Sequence, residues 1–345
     1  MSLPPVEIPL GAMRFNSDSQ KLEYFNGQVW MQVHTFSPNL DVRTTSDGSM
    51  PTGARGLFGG GYTPTAVNTI DYITIATAGN AINFGDLTYT DNNVCSSAAS
   101  RTRGMWFGGG TEPNAENDNI NYVTIASTGN AADFGNLTQA RRGSAAVASA
   151  TRAVICGGRT PTIQNIMDYV TMASTGHAVD FGDIVGKNGH CSSCSPAASP
   201  TRGILAGGTG SSQQKDISYI TIASTGNDQH FGDLSVTTDG VGGCSNSTRA
   251  IFRLREKTII DSIQIATQGN GIGFGEGVSG VYGNFANSST RAVYGMYTVG
   301  TPGTAVTDMS YTSLQTGGGS ADFGDLSQAR KQRNGGCSNS HGGLG

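Results

Sequence analysis

Residues 139–184 read QARRGSAAVASATRAVICGGRTPTIQNIMDYVTMASTGHAVDFGDI. In this stretch Tyr169 stands twelve residues ahead of Phe181, and the same interval separates Tyr72 from Phe84, Tyr122 from Phe134, Tyr219 from Phe231 and Tyr311 from Phe323. One further copy carries Ser262 in the Tyr place before Phe274. Each copy is led by an arginine, at Arg55, Arg103, Arg152, Arg202, Arg249 and Arg291, at intervals of 42 to 50 residues. A period that long marks one supersecondary unit stacked many times rather than independent domains.

The copy at 139–184 divides into four strand candidates. They are Ser144–Ser149, Arg152–Cys156 closed by Gly157-Gly158, Met167–Ala173 and Ala178–Ile184. Four short strands in a repeat of roughly 40–50 residues are what a propeller blade requires. The first strand is a run of small residues, as expected where six strands converge on an axis. The second carries unbroken apolar triplets, Val154-Ile155-Cys156 and Ile204-Leu205-Ala206. A strand covered on both faces loses the in/out alternation. Phe181 and its equivalents are placed to wedge between neighbouring units. Residues 328–341, QARKQRNGGCSNSH, match a first strand, whereas the earliest copy opens at a second strand, Ala54–Phe58. The late segment is therefore expected to complete the early sheet and remove its free edge, giving six blades over residues 44–345.

Composition agrees with a strand-and-turn protein. Only 36% of the 345 residues are apolar and 13% charged, and Gly supplies 51 of them. Disordered chains of low hydrophobicity are usually rich in charge and poor in β-branched residues, whereas here Y-I-T-I and A-V-I-C recur on schedule. A net charge of −4 with no basic stripe argues against a nucleic-acid partner. No apolar run approaches 18 residues, and no basic-then-apolar leader opens the sequence, so neither a membrane span nor a signal peptide is expected. Cys95, Cys156, Cys191, Cys194, Cys244 and Cys337 replace Ala, Ser or Gly of other copies and read as small buried residues rather than a disulfide framework. Cys191-x-x-Cys194 beside His190 has metal-ligand spacing, but no second ligand pair accompanies it.

The order of small-residue run, apolar triplet, Gly-Gly, Asp-Tyr and aromatic resembles the kelch repeat across residues 54–345. Gly-Gly stands at Gly59-Gly60, Gly108-Gly109, Gly157-Gly158 and Gly207-Gly208, and is replaced at Arg253-Leu254 and Gly295-Met296. Phe takes the place of the family's usual Trp, so the likeness is to a divergent, kelch-like version. The resemblance implies an all-β fold, a six-bladed β-propeller.

Residues 1–43 lie outside the repeat. Met13–Phe15, Lys21–Phe25 and Gln28–Val33 alternate like a small meander, with Asn26-Gly27 as a hairpin turn. Such a sheet cannot build a core alone, so Phe15, Tyr24, Phe25 and Trp30 are expected to bury against another chain. The pattern Gly-Ala-Met-Arg-Phe-Asn…Leu-Glu-Tyr-Phe-Asn-Gly…Trp resembles small modules of phage virion proteins, often near the start of tail fibres. That likeness implies a virion location, with other virion proteins and copies of this chain as partners.

The repeat holds no recognisable catalytic set. The histidines, His34, His177, His190, His230 and His341, fall in different repeat phases, unlike paired copper ligands. The six arginines occupy one place per repeat, which reads as scaffold rather than as a sialidase-like cluster. The acid after Phe-Gly (Asp86, Asp183, Asp233, Glu276, Asp325, with Asn136 the exception) suggests an Arg–acid bond in each unit. There is no G-x-S-x-G elbow and no phosphate loop. The expectation is a non-enzymatic protein without cofactor or metal. Variable loops on a rigid scaffold are where recognition sits. The second-to-third-strand loops vary most, and Tyr62, Thr63, Glu112, Asn114, Arg159, Gln213, Lys215, Lys257 and Tyr297 are the candidate binding-face residues. The expected role is a virion structural protein, with a receptor- or glycan-binding adhesin acting through these loops as the alternative.

Overall fold

A computed structural model describes residues 8–16, 21–32, 54–91, 95–111, 115–186, 193–210, 212–239, 242–254, 258–278, 280–299, 304–331 and 335–344. The chain divides into two compact units, Met1–Arg43 and Thr44–Gly345. Among the described residues there is no α-helix, and one 3-10 turn, Gly342–Leu344, accompanies the strands.

In the smaller unit Met13–Asn16, Lys21–Phe25 and Trp30–Gln32 form an antiparallel sheet. Met13 faces Tyr24 and Phe25 faces Trp30 across the ladders. Asn26 fixes the second turn, its Oδ1 accepting from the amides of Gln28 and Val29 at 3.0 and 2.8 Å.

Among the described residues the larger unit holds six sheets of four or five strands and one two-stranded hairpin, all antiparallel except that Gly318–Gly319 pairs in parallel with Ile272–Glu276. The second to fourth in chain order are four-stranded and pair in simple succession. They comprise Ser96–Ala99, Arg103–Thr111, Ala115–Thr124 and Ala132–Asn136; then Ala145–Ala148, Arg152–Cys156, Ile166–Thr171 and Val179–Asp183; then Ser195–Ala198, Arg202–Ala206, Gln214–Thr221 and Gln229–Thr238. The fifth runs Gly243–Ser245, Arg249–Arg253, Ile259–Gln264 and Ile272–Glu276, and the sixth Val281–Asn287, Arg291–Val299, Asp308–Ser313 and Ala321–Asp325. The first sheet, Arg55–Gly59, Thr65–Thr74 and Ile82–Asp91, takes Gly336–Ser338 as its first strand, with Gly336 opposite Phe58 and Ser338 opposite Gly56. First strands of successive sheets are neighbours, and Gly336–Ser338 lies beside both Val281–Asn287 and Ser96–Ala99, so the order returns to its start.

Small residues permit this convergence. Ala145–Ala148 and Ser96–Ala99 are wholly buried, and the Ser96 hydroxyl pairs at 2.9 Å with that of Ser144, the residue before the former strand. The six first strands line a cavity of about 60 Å³. Buried residues of the Gly342–Leu344 turn pack so closely at its margin that a Cβ on Gly343 would lie 1.8 Å from the Ala148 carbonyl.

The core is divided among the gaps between sheets. Ala153 and Ile155 point toward the second sheet, joining Met105, Phe107 and Phe134. Val154 and Cys156, on the same strand, point toward Leu205 and Ile220 of the fourth. This two-sided burial explains the unbroken apolar triplets. Equivalent clusters fill the other gaps, Leu57 with Trp106, Ile204 with Phe252, Ile251 with Phe285 and Phe58 with Val293.

The outer edges are covered as well. The turn joining strands three and four of each sheet hydrogen-bonds to the fourth strand of the preceding one. Gly129 N donates to Phe84 O and Gly176 N to Phe134 O, both at 2.8 Å, and Gly79 N closes the series onto Phe323 O at 2.7 Å. The glycine after each Phe is dictated by this approach: a Cβ on Gly135 would sit 2.3 Å from Gly176 O. The sheets thus lack the unpaired outer edge that invites aggregation. A second glycine rule follows the second strand, where Gly60, Gly108, Gly157 and Gly207 hold φ near +60°. Met296 adopts the same conformation in the sixth sheet, with its side chain fully buried.

Candidate binding face and attachment surface

The repeated arginines lie half-buried at the strand-one-to-two end of each sheet. Five of the six lie over the Tyr ring of their own sheet, from 4.3 Å for Arg152 over Tyr169 to 4.9 Å for Arg55 over Tyr72, and Arg249, whose sheet carries Ser262 in the Tyr place, lies over Phe274. Each Nη1 donates to main-chain carbonyls of the next sheet. Arg55 reaches Ile125 and Ala126 at 2.8 and 3.1 Å, Arg202 reaches Ile265 and Ala266, and Arg291 closes the circuit on Ile75 and Ala76. The Tyr in turn meets Phe edge-on, as in Tyr122–Phe134 at 5.7 Å. The invariant Tyr–Phe interval is therefore a ring contact inside one sheet, and the Arg is a latch to the next.

The expected bond between that Arg and the acid after Phe-Gly does not form, because the carbonyls of the neighbouring turn take the guanidinium. Asp86 N and Asp183 N donate to Asn130 Oδ1 and Asn227 Oδ1 at 3.1 and 2.9 Å, while the carboxylate of Asp233 pairs with Lys215 and that of Asp325 accepts from Thr307 Oγ1. The buried acids are instead those one residue before the Tyr. Asp168 accepts from Thr138 and pairs with Arg141 at 2.8 Å, and Asp71 accepts from Ser327 and pairs with Arg330 at 3.1 Å. All four of these charged side chains are fully buried.

The second-to-third-strand loops fold back as short hairpins. Tyr62–Thr63 pairs with Thr65–Thr74, and Arg159–Thr160 with Thr162–Ile163. Backbone bridges tie Tyr62 to Lys331 and Arg159 to Arg142, bringing these hairpins beside the fourth-to-first connections. Lys331 also lies over the Tyr62 ring at 5.4 Å. Arg159, Gln213 and Lys215 are exposed, and Lys215 pairs with Asp233 at 3.1 Å. Tyr62 and Thr63 are partly buried. Tyr297 is a correction: its ring is buried and stacked on Tyr294 at 5.1 Å, so it fills the gap between the fifth and sixth sheets instead of facing solvent. Glu112, Asn114 and Lys257 lie outside the described residues.

In the smaller unit the aromatic set splits in two. Phe25 and Trp30 touch at 5.5 Å, and the Arg14 guanidinium lies 4.2 Å from the Trp30 ring. Arg14 and Asn16 both donate to the buried Glu23, and these hydrogen bonds, Asn16 first, hold its carboxyl below its ordinary pKa. Phe15 and Tyr24 instead remain exposed, at 66% and 40%, beside exposed Met13 and Leu10.

Among the described residues no group of three His, Cys, Asp or Glu side chains could hold a metal ion. Burial pushes the Cys156 and Cys244 thiols well up and that of Cys337 to about 12, so they stay protonated and unreactive at neutral pH. Cys194 is disulfide-bonded, a departure from the reading of all six cysteines as plain small residues; Cys191 lies outside the described residues. No helix among the described residues is long and apolar enough to cross a membrane. No family model and no curated protein matches the chain.

Proposed function

We propose that this chain is a structural protein of a phage virion, part of a fibre or surface appendage, in which residues 1–43 attach to the particle and a six-bladed, kelch-like propeller faces outward. The observation that carries the reading is the contrast between the two units. The smaller one leaves Met13, Phe15 and Tyr24 exposed on a three-stranded sheet, with Leu10 exposed in the turn ahead of it, apolar surface of the kind that other chains cover. The larger one covers its own sheet edges and distributes its core among six gaps, needing no partner to do so. The propeller itself is supported by six sheets of like order whose first strands neighbour one another in sequence and return to the start through Gly336–Ser338. The hairpins around Tyr62, Arg159, Gln213 and Lys215 suit the second reading, recognition of a host surface glycan, because exposed polar side chains there stand on a rigid frame.

Deleting residues 1–43 tests the division of labour. The remaining chain should fold with an unchanged melting temperature yet fail to co-sediment with particles assembled in its presence. Assembly at the full-length level would move the attachment surface to the blade hairpins.

A further inference from the structure

The one repeat that lacks its tyrosine contains a vacancy. In five sheets a Tyr ring lies beneath the repeat Arg and edge-on to the repeat Phe, as with Arg152, Tyr169 and Phe181. In the fifth sheet Ser262 stands in that place, and the guanidinium of Arg249 lies over Phe274 itself at 4.8 Å. Arg249 keeps the latch, donating to the carbonyls of Leu314 and Gln315 at 3.2 and 2.7 Å, so loss of the ring leaves the cation in position. Phe274 is only partly buried, whereas its five counterparts are between 2% and 3% exposed. The space is a cavity of about 230 Å³ open to solvent, lined by Arg249, Ser262, Gln264, Gln268, Asn270 and Phe274. A dry cavity of about 150 Å³ already accommodates a benzene ring.

From this we infer that the fifth sheet carries a binding site for an aromatic ring, with a phenol as its best-fitting class. The other five copies supply the template. A ring seated there lies under a guanidinium that is already fixed by two carbonyls, which gives cation–π attraction without the cost of ordering the arginine. The same ring meets Phe274 edge-on, the arrangement that aromatic pairs favour. The Gln264 amide and the buried Ser262 hydroxyl of the lining offer polar partners for the substituent, whereas Nε2 of Gln268 already donates to His230 O at 3.2 Å. In the fourth sheet the Tyr219 hydroxyl bonds to the Gln229 amide and lies 3.4 Å from Nε2 of Gln268. The ring's source is a tyrosyl side chain of a partner or a free phenol, and the chemistry of the site is the same for both.

The test is an NMR titration of the full chain with p-cresol and with N-acetyl-tyrosinamide, with cyclohexanol as the non-aromatic control. Saturable shifts of the Phe274 ring and Arg249 side-chain signals are expected with both aromatic probes, in the millimolar range fitting for so small a ligand, and none with cyclohexanol. Saturation by p-cresol alone assigns the site to free phenols, and tighter binding of the amide assigns it to a protein side chain. Ser262→Tyr fills the space with the residue that the other repeats carry. It should abolish the shifts and raise the melting temperature by roughly 2 °C. Absence of shifts up to the solubility limit, equal response to cyclohexanol, or undiminished binding by a folded Ser262→Tyr protein would overturn the inference.

Discussion

At the scale of single residues, the repeat is a set of contacts that permit few substitutes. The glycine after each Phe is fixed by the carbonyl of the following sheet, and a Cβ on Gly135 would approach that atom to 2.3 Å. Gly135→Ala should therefore cost about 1–3 kcal/mol by urea denaturation, the range of overpacked sites. Gly273→Ala, where nothing lies within 4 Å, should change stability by less than about 0.5 kcal/mol. The repeat Arg makes two charge-assisted bonds and one ring contact while half-exposed. Arg152→Met should accordingly lose about 1–2 kcal/mol, and Asp183→Asn, exposed in the same sheet, almost nothing. This pair of variants separates the carbonyl latch from the Arg–acid bond that the sequence alone suggests. The true acceptors are main-chain carbonyls, which have no sequence signature, whereas the acids recur in plain view. Tyr297 is hidden from the sequence for a related reason, since a divergent segment looks like a loop until strand pairing carries it into a core.

At the scale of strands, periodicity was legible and close approach was not. The second strand, Arg152–Cys156, is where the apolar triplet placed it, and the other three strands of that copy are displaced at their ends by one or two residues. The turn that covers the preceding sheet could not be read, because an S-T-G-N motif specifies a local bend and says nothing of what the bend touches. Nor was the Gly342–Leu344 turn foreseen, lying beyond the last repeat. His341 holds it, with Nε2 bonded to Ala99 O at 2.7 Å and Nδ1 accepting from Gly343 N at 3.1 Å. Burial, reinforced by the charge of Arg101 against the opposing pull of the Ala99 carbonyl, lowers the His341 pKa. The folded form thus favours the neutral ring and the unfolded form takes the proton first. Its contribution is complete above the ordinary histidine pKa of about 6.5 and is lost as pH falls through the lowered folded value. Hydrogen-exchange protection at residues 342–344 should decline over that acid range in the native protein, and His341→Asn should flatten the dependence.

At the scale of the whole molecule, two features matter, closure and attachment. Gly336–Ser338 completes the first sheet, so deleting residues 328–345 removes a strand beside Arg55–Gly59 and breaks the sequence of first strands. The shortened protein should aggregate on purification and unfold over a broad range, and a soluble product with a sharp transition would argue that closure is dispensable. The second sheet-capping device, the circuit of arginines ending at Ile75 and Ala76, would then have to suffice alone. Attachment is the central functional claim, and electron microscopy of purified particles tests it most directly. Gold-labelled antibodies raised separately against residues 1–43 and 54–345 would be applied to intact virions and to virions dissociated by denaturant. The antibody to 54–345 should decorate intact particles at a projecting structure, while the antibody to 1–43 should bind only after dissociation. Absence of both labels from intact and dissociated particles, or decoration of intact particles by the antibody to 1–43, would contradict that claim.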